Sequence, residues 1–179
     1  LDFIALDNGI FTFMDFIPGD TFKKLLGEGR TFTQKEALKY ATQLFETLEY
    51  IHSRTPQIIH GDIKPENLML TPDDNICLID FNISGIVENK GVVIEGYTRG
   101  YAAPEQISEF NRLKDEFQVT HTSAPAENDY EATSIIGNST GTGTRSRQGL
   151  VDARADIYSA AATIYHILTG VAPISENGK

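Results

Sequence analysis

The sequence contains very few cysteine, methionine and tryptophan residues. Of its 179 residues one is cysteine, two are methionine and none is tryptophan. A single cysteine, Cys77, excludes an internal disulfide framework and a cysteine-rich zinc site. The sequence shows no signal peptide and no run of about 18 apolar residues, so we predict no membrane segment in this chain. We expect a cytoplasmic location, although a longer parent protein could carry an anchor.

Basic residues are also scarce. The chain has 15 Lys and Arg against 25 Asp and Glu, which gives a formal net charge of −10. Because phosphate contacts need clustered Lys and Arg, we expect no nucleic-acid partner. Hydrophobic residues at 40% and charged residues at 22% are typical of a folded protein. The length predicts about one domain.

Two segments have the apolar spacing of helices. From Thr33 to about Ser53 apolar residues recur along one stripe, and Thr33 and Glu36 are spaced as in a capping box. From Ala155 to about Leu168 the pattern is apolar on most of its circumference, which predicts a helix buried on several sides.

Short apolar runs predict two β-hairpins. Residues 3–6 and 10–14 flank Asn8-Gly9, a dipeptide that favours tight hairpin turns. Residues 68–70 and 76–79 flank a polar turn in the same way. Cys77 lies in the last of these runs and is predicted to be a small buried hydrophobe.

The second half of the chain contains two segments with little regular pattern. Residues 83–106 show no long periodicity and are predicted to be loop. We predict a flexible insertion at about 108–150, because residues 134–149 are rich in Ser, Thr, Gly and Arg. Such a composition buries too little surface to offset the entropy of ordering.

Chemically active side chains concentrate in one stretch. Residues 60–67 read His-Gly-Asp-Ile-Lys-Pro-Glu-Asn, and Asp80 follows an apolar strand that ends at Ile79. Asn67 and Asp80 offer the hard oxygen ligands that suit Mg²⁺. Lys64 offers a point charge for a phosphoryl group, and Asp62 could accept a hydroxyl proton. Each residue alone fits a solvated loop; their joint spacing favours a site.

These residues resemble the motifs of protein kinases of the Ser/Thr type, most of all bacterial members. The matching motifs, in chain order, are His60-Gly61-Asp62 with Asn67, Asp80-Phe81-Asn82, Ala103-Pro104-Glu105 and Asp156-Ile157-Tyr158-Ser159. The resemblance covers about residues 3–173 apart from the insertion. It implies an α+β, protein kinase-like fold truncated at both ends. Residues 1–20 would form the end of the small lobe and the hinge, and residues 21–179 part of a mainly helical large lobe.

The resemblance implies roles for the polar residues. Asp62 would orient the substrate hydroxyl and accept its proton, and Lys64 would contact the γ-phosphate of ATP. Thr98 would hydrogen-bond both of these side chains. Asn67 and Asp80 would hold the Mg²⁺ ions that bridge the ATP phosphates.

The resemblance also implies an adenine site and one structural residue. Met14 stands at the gatekeeper place, and backbone groups of Asp15 and Ile17 would meet the adenine edge. Met69 would pack under the adenine ring. Asp156 would be buried and would bond the backbone of the catalytic loop.

Two positions depart from the family pattern. Gly61 replaces an Arg that in the family often meets a phosphorylated activation loop, so we expect activity that is independent of such phosphorylation. Asn82 replaces a glycine, and Asn is a non-glycine residue that tolerates positive φ. We expect this change to alter the switching of Phe81 more than metal binding.

We therefore expect a fragment of an ATP- and Mg²⁺-dependent kinase that phosphorylates Ser and Thr of proteins. No Gly-rich loop and no lysine on a preceding strand occur in these 179 residues, so we expect the fragment alone to be inactive. One alternative is a pseudokinase that serves as a binding module. Another is a small-molecule phosphotransferase of the aminoglycoside or choline type, which also has His-Gly-Asp.

Overall fold

The structure, a computed structural model, describes residues 2–6, 9–81, 85–87, 96–117, 130–132 and 151–173. The strands are β1 (Asp2–Leu6), β2 (Gly9–Phe13), β3 (Asp20–Thr21), β4 (Gln57–Ile59), β5 (Leu68–Leu70), β6 (Ile76–Leu78), β7 (Gly85–Val87), β8 (Gly96–Thr98) and β9 (Tyr130–Ala132). The helices are α1 (Phe22–Gly27), α2 (Gln34–His52), α3 (Pro104–Phe117) and α4 (Ala153–Thr169), with a 3-10 turn at Pro65–Asn67.

Helix α2 begins at the predicted capping box. The backbone N–H of Thr33 donates to Glu36 Oε2 at 2.8 Å, and the N–H of Glu36 donates to Thr33 Oγ1 at 3.2 Å. These two bonds satisfy amides that the first helical turn leaves without partners. The predicted helix from Thr33 to about Ser53 is thereby confirmed.

The second predicted helix is present as α4 and starts two residues earlier than predicted. The prediction that it is buried on several sides is wrong, because its buried residues lie on one face. Apolar side chains on its other face are 43–51% exposed: Ile157, Tyr158, Tyr165 and Leu168. Asp152 caps the helix by accepting from the Arg154 N–H at 2.9 Å. Its end at Gly170 has a φ of 69°, a left-handed conformation that favours glycine.

The main core lies where α2 and α4 meet the hairpin of β5 and β6. Its fully buried side chains include Leu44, Leu48, Ile63, Leu68, Ala160 and Ile167. At one edge Phe22, Phe32 and Tyr40 pack in tilted and edge-to-face contacts, with centroids 5.2–6.0 Å apart. The segment 60–67 lies against this core, because Ile63 within it and Leu68 directly after it belong to the cluster.

Both predicted hairpins are present. Strands β1 and β2 pair antiparallel with Ala5 opposite Ile10, and β5 and β6 pair with Met69 opposite Cys77. Asn8 of the first predicted turn lies outside the described residues. Cys77 is only half-buried, and burial raises the pKa of its thiol.

The prediction of loop over residues 83–106 is wrong where two strands form and where α3 begins at Pro104. Strand β7 pairs with β4, and β8 pairs with β9. Each has three residues, too few to produce a periodic pattern, and each is stabilised by a partner that is distant in sequence.

Two parts of the predicted insertion at 108–150 form regular elements. Helix α3 continues to Phe117, and Phe110 on it is buried against Tyr97 with ring centroids 5.2 Å apart. Strand β9 occupies residues 130–132. The predicted flexibility of 134–149 concerns residues outside those described.

Candidate active site

The loop that follows β4 is fixed by a buried carboxylate of α4. Asp156 is fully buried, and its Oδ2 and Oδ1 accept from the N–H groups of His60 at 2.9 Å and Gly61 at 2.8 Å. His52 Nε2 lies 2.8 Å from the same Oδ2. These contacts confirm the role predicted for Asp156.

Gly61 supplies a bend at this point. Its φ of 80° lies in the left-handed region, where a residue with a Cβ atom is strained. The bend directs the chain into Asp62, which is 7% exposed. A glycine at position 61 therefore fits the backbone conformation that the loop adopts.

Asp62, Lys64 and Thr98 form one connected group. Thr98 Oγ1 donates to Asp62 Oδ1 at 2.7 Å, and Lys64 Nζ donates to Thr98 Oγ1 at 2.9 Å. Lys64 Nζ also lies 2.7 Å from Asp62 Oδ2. The carboxylate and the ammonium group are mostly buried and balance each other's charge, which limits the penalty of burying either alone.

Asn67 directly precedes β5 and Asp80 follows β6, so both lie at the open end of this hairpin. The Asn67 amide nitrogen donates to the Asp62 carbonyl at 2.8 Å and to Asp62 Oδ2 at 3.1 Å. Because that nitrogen faces Asp62, the amide oxygen is the atom suited to a metal. The Asn67 carbonyl accepts from the Ile79 N–H at 2.9 Å, which brings the adjacent Asp80 to the same end of the hairpin.

This oxygen chemistry fits Mg²⁺, which takes few protein ligands and keeps several waters or phosphate oxygens. Within the described ranges, no three side chains among His, Cys, Asp and Glu gather as a metal site. Asp80 is solvent-exposed, and its φ of 65° is unusual for a residue other than glycine.

His60 connects the loop to the residues after β6. Its Nε2 donates to the Ile79 carbonyl at 3.1 Å, and its Nδ1 accepts from the Asp62 N–H at 3.3 Å. Its ring packs edge-to-face on Phe81, with centroids 4.7 Å apart. Burial lowers the pKa of His60, so the neutral imidazole is favoured.

The residues predicted to contact adenine lie outside the loop that carries Asp62 and Lys64. Met14, which is 71% exposed, Asp15 and the half-buried Ile17 lie between β2 and β3. Met69 is half-buried on β5, where it pairs with Thr21 of β3. Hydrogen bonds join Asp62, Lys64, Asn67 and Thr98. The contacts of Met14, Asp15, Ile17 and Met69 with adenine stay predictions.

The motifs do not reveal two buried polar residues that hold the loop. Gln106 on α3 donates to the Gly61 carbonyl at 2.8 Å. Thr163 on α4 donates to the Ile63 carbonyl at 3.2 Å. The sequence gives only a weak indication of either role. Gln106 is a polar residue directly after Ala103-Pro104-Glu105, and Thr163 is a polar residue within an apolar helix.

Comparison with known proteins identifies the family of the chain. Residues 1–120 match the protein kinase domain family. This match covers more than half of the 179 residues, so the chain belongs to the protein kinase domain family.

Curated relatives carry the same designation. The chain is 36% identical over 101 residues to a cAMP-dependent protein kinase, catalytic subunit-like, of Caenorhabditis briggsae, covering 56% of this chain and 26% of the relative. It is 28% identical over 161 residues to a probable serine/threonine-protein kinase of Clostridium acetobutylicum, covering 89% and 19%. A putative serine/threonine-protein kinase of Mycoplasma genitalium is 36% identical over 85 residues, covering 47% and 22%. The chain thus spans about a quarter or less of these relatives.

The family match confirms the expected resemblance, and the mixture of helices and strands agrees with an α+β kinase-like fold. Within the part of the chain that the structure describes, no helix is long and apolar enough to cross a membrane.

Proposed function

We propose that this chain is part of a protein kinase that transfers the γ-phosphoryl group of ATP to Ser or Thr hydroxyls of proteins. The observation that carries the proposal is the hydrogen-bonded group of Asp62, Lys64 and Thr98, held with Asn67 over one buried core. The names of the relatives support Ser/Thr specificity.

In this proposal Asp62 acts on the substrate hydroxyl. Its carboxylate is fixed by the hydroxyl of Thr98 and the amide of Asn67, so it can orient an incoming hydroxyl and accept its proton. Lys64 Nζ contacts the same carboxylate and provides a positive charge beside the place where the phosphoryl group would pass. The group thus combines positioning with electrostatic stabilisation, which account for most of kinase catalysis.

Asn67 and Asp80 would hold Mg²⁺. When bound, the ion neutralises charge on the ATP phosphates. Met14, Asp15, Ile17 and Met69 would receive the adenine. In this proposal residues 1–20 are the end of the small lobe and the hinge, and the described residues after 20 belong to the large lobe.

We propose further that the 179 residues need additional sequence for activity, because phosphoryl transfer depends on positioning groups from both sides of the nucleotide. The test therefore uses the full-length protein. We expect Asp62→Ala to lower the rate of phosphate transfer from ATP to a generic protein substrate by about 10²–10⁴-fold, the usual contribution of a general base.

Asp73→Ala is the matched control, because Asp73 is an exposed acid in the turn between β5 and β6 and should leave the rate unchanged. Equal rates for the wild type and Asp62→Ala would reject the assignment of Asp62. ATP binding without transfer in the wild type would favour a binding module instead. Phosphorylation of a small alcohol in preference to protein would favour the small-molecule alternative.

A further inference from the structure

Gln106 is the most deeply buried amide side chain of the described residues outside the predicted motif positions. It lies in the first turn of α3 and is 1% exposed. Burying an amide away from water is unfavourable unless its donor and acceptor both find partners. The two partners of Gln106 therefore indicate why this side chain is tolerated in the interior.

Those partners lie in two different segments. Gln106 Oε1 accepts from the Ala103 N–H at 3.0 Å, within the turn that begins α3. Its Nε2 donates to the Gly61 carbonyl at 2.8 Å, across a separation of 45 residues. One buried side chain thus connects the start of α3 to the loop that carries Asp62.

The Gly61 carbonyl belongs to the peptide group that leads into Asp62. The peptide group before Gly61 is already fixed, because its N–H donates to Asp156 at 2.8 Å. Glycine has the widest conformational freedom of any residue, and this one lies at a φ of 80°. The bond from Gln106 fixes the Gly61 carbonyl as well, so the Gly61 backbone is held in one orientation. That orientation sets the direction in which the chain enters Asp62.

The segment 98–106, which contains Gln106, also holds the Asp62 side chain. Thr98 donates to Asp62 Oδ1 at 2.7 Å, and the Thr98 carbonyl accepts from the Ala102 N–H at 3.0 Å. Asp62 is therefore bonded to Thr98, and Thr98 to Ala102. The next residue, Ala103, is bonded to Gln106, which in turn is bonded to Gly61, the residue before Asp62. Segment 98–106 restrains Asp62 at both its side chain and its backbone.

We propose that Gln106 is a positioning residue that aligns Asp62 for phosphoryl transfer by fixing the Gly61–Asp62 peptide. This inference rests on the proposed kinase function. Gln106 touches neither ATP nor the substrate in this role. Its removal lowers the rate of the chemical step and leaves ATP affinity in place.

Two substitutions of similar size test the proposal in the full-length protein. Gln106→Met loses both bonds, whereas Gln106→Glu keeps the acceptor for Ala103 and loses the donor to Gly61. We expect both variants to lower kcat by about 10–10²-fold with little change in KM for ATP, since a misplacement of about 1 Å can reduce a rate by roughly 10²-fold.

Ser159→Ala is the control for the loss of a buried polar side chain that does not contact the loop. Ser159 is 2% exposed and donates within α4 to the Ala155 carbonyl at 3.0 Å. Because this bond stays within one helix, we expect kcat to stay at the wild-type value. A wild-type kcat in Gln106→Glu would overturn the proposal. So would losses of kcat in both Gln106 variants that only follow their losses of Tm.

Hydrogen–deuterium exchange provides a readout that does not need activity. We expect faster exchange at residues 60–62 in both Gln106 variants, measured well below their unfolding midpoints, and unchanged exchange there in Ser159→Ala. Unchanged exchange in the Gln106 variants would overturn the positioning role. If exchange rises but wild type and Asp62→Ala transfer phosphate equally, the kinase assignment fails while the restraint by Gln106 stands.

Discussion

The two ring nitrogens of His60 have opposite hydrogen-bonding roles. A carbonyl can only accept, so Nε2 must carry the proton that it donates to Ile79 O at 3.1 Å. The N–H of Asp62 can only donate, so Nδ1 must be unprotonated to accept at 3.3 Å. The site therefore specifies one neutral tautomer, and a second proton on Nδ1 would break its bond to the residue proposed as the base.

This arrangement predicts a loss of stability in mild acid. Burial lowers the pKa of His60 from its ordinary value of 6.5, so the unfolded chain binds the proton more readily than the folded one. The contribution of neutral His60 to the unfolding free energy is complete above about pH 6.5, and it is lost as the pH falls through the pKa of His60 in the folded state. We expect the unfolding free energy, measured by urea titration, to decrease below that pH.

The variant His60→Gln identifies the source of this dependence. It should be less stable than the wild type at neutral pH and show a weaker dependence on pH below about 6.5, because one titrating group is gone. His166 also has a pKa lowered by burial, and its Nδ1 lies 2.6 Å from the Tyr101 hydroxyl, so part of the slope will remain. An unchanged slope in His60→Gln would contradict the assignment.

At the scale of elements, α2 shows how far local sequence determines structure. Its capping box involves residues three apart, and its buried positions recur at helical spacing, so both are visible in the sequence. The hairpin of β5 and β6 is equally local. Strands β4 and β7 are different, because Ile58 pairs with Ile86 across 28 residues and nothing in either short run specifies that partner.

The cap of α2 can be tested with one substitution made at two places. Thr33→Ala removes the acceptor for the Glu36 N–H, and we expect it to reduce the unfolding free energy by about 1 kcal/mol. Thr42→Ala makes the same change on the exposed face of the same helix. Because Ala has the higher helix propensity, the second variant should be neutral or slightly more stable.

Chemical denaturation of both variants at neutral pH measures this difference, and Thr33→Ser, which keeps a hydroxyl, should stay near the wild type. The bond from Thr33 also lowers the pKa of Glu36, so stability from this carboxylate is present above its ordinary pKa of 4.5 and is lost in stronger acid. Equal losses in Thr33→Ala and Thr42→Ala would show that the cap contributes nothing specific.

The candidate site divides in the same way between local and distant information. Asp62, Lys64 and Asn67 lie within six residues, so their joint spacing is visible in the sequence. The supports of the loop come from afar: Gln106 is 45 residues from Gly61, and Thr163 is 100 residues from Ile63. A polar residue in an apolar helix is predictable as an exception, but its partner follows only from the packing of α3 and α4.

At the scale of the whole molecule, one apolar cluster supports both the fold and the site. Leu48 of α2 and Ile167 of α4 lie in the same cluster as Ile63, whose carbonyl is in the loop. Asp156 and Thr163 reach that loop from the same helix, α4. The position of α4 against α2 therefore determines where the loop backbone is held.

One buried and one exposed leucine of α2 test the importance of this packing. Leu48 is fully buried and Leu38 is 68% exposed. We expect Leu48→Ala to reduce the unfolding free energy by about 2–5 kcal/mol, because the removed side chain leaves a cavity that the core closes only in part. Leu38→Ala should change it by less than about 0.5 kcal/mol. Urea denaturation of the two variants, compared through their midpoints and slopes, measures both. Similar losses in the two would place the stabilising core elsewhere than between α2 and α4.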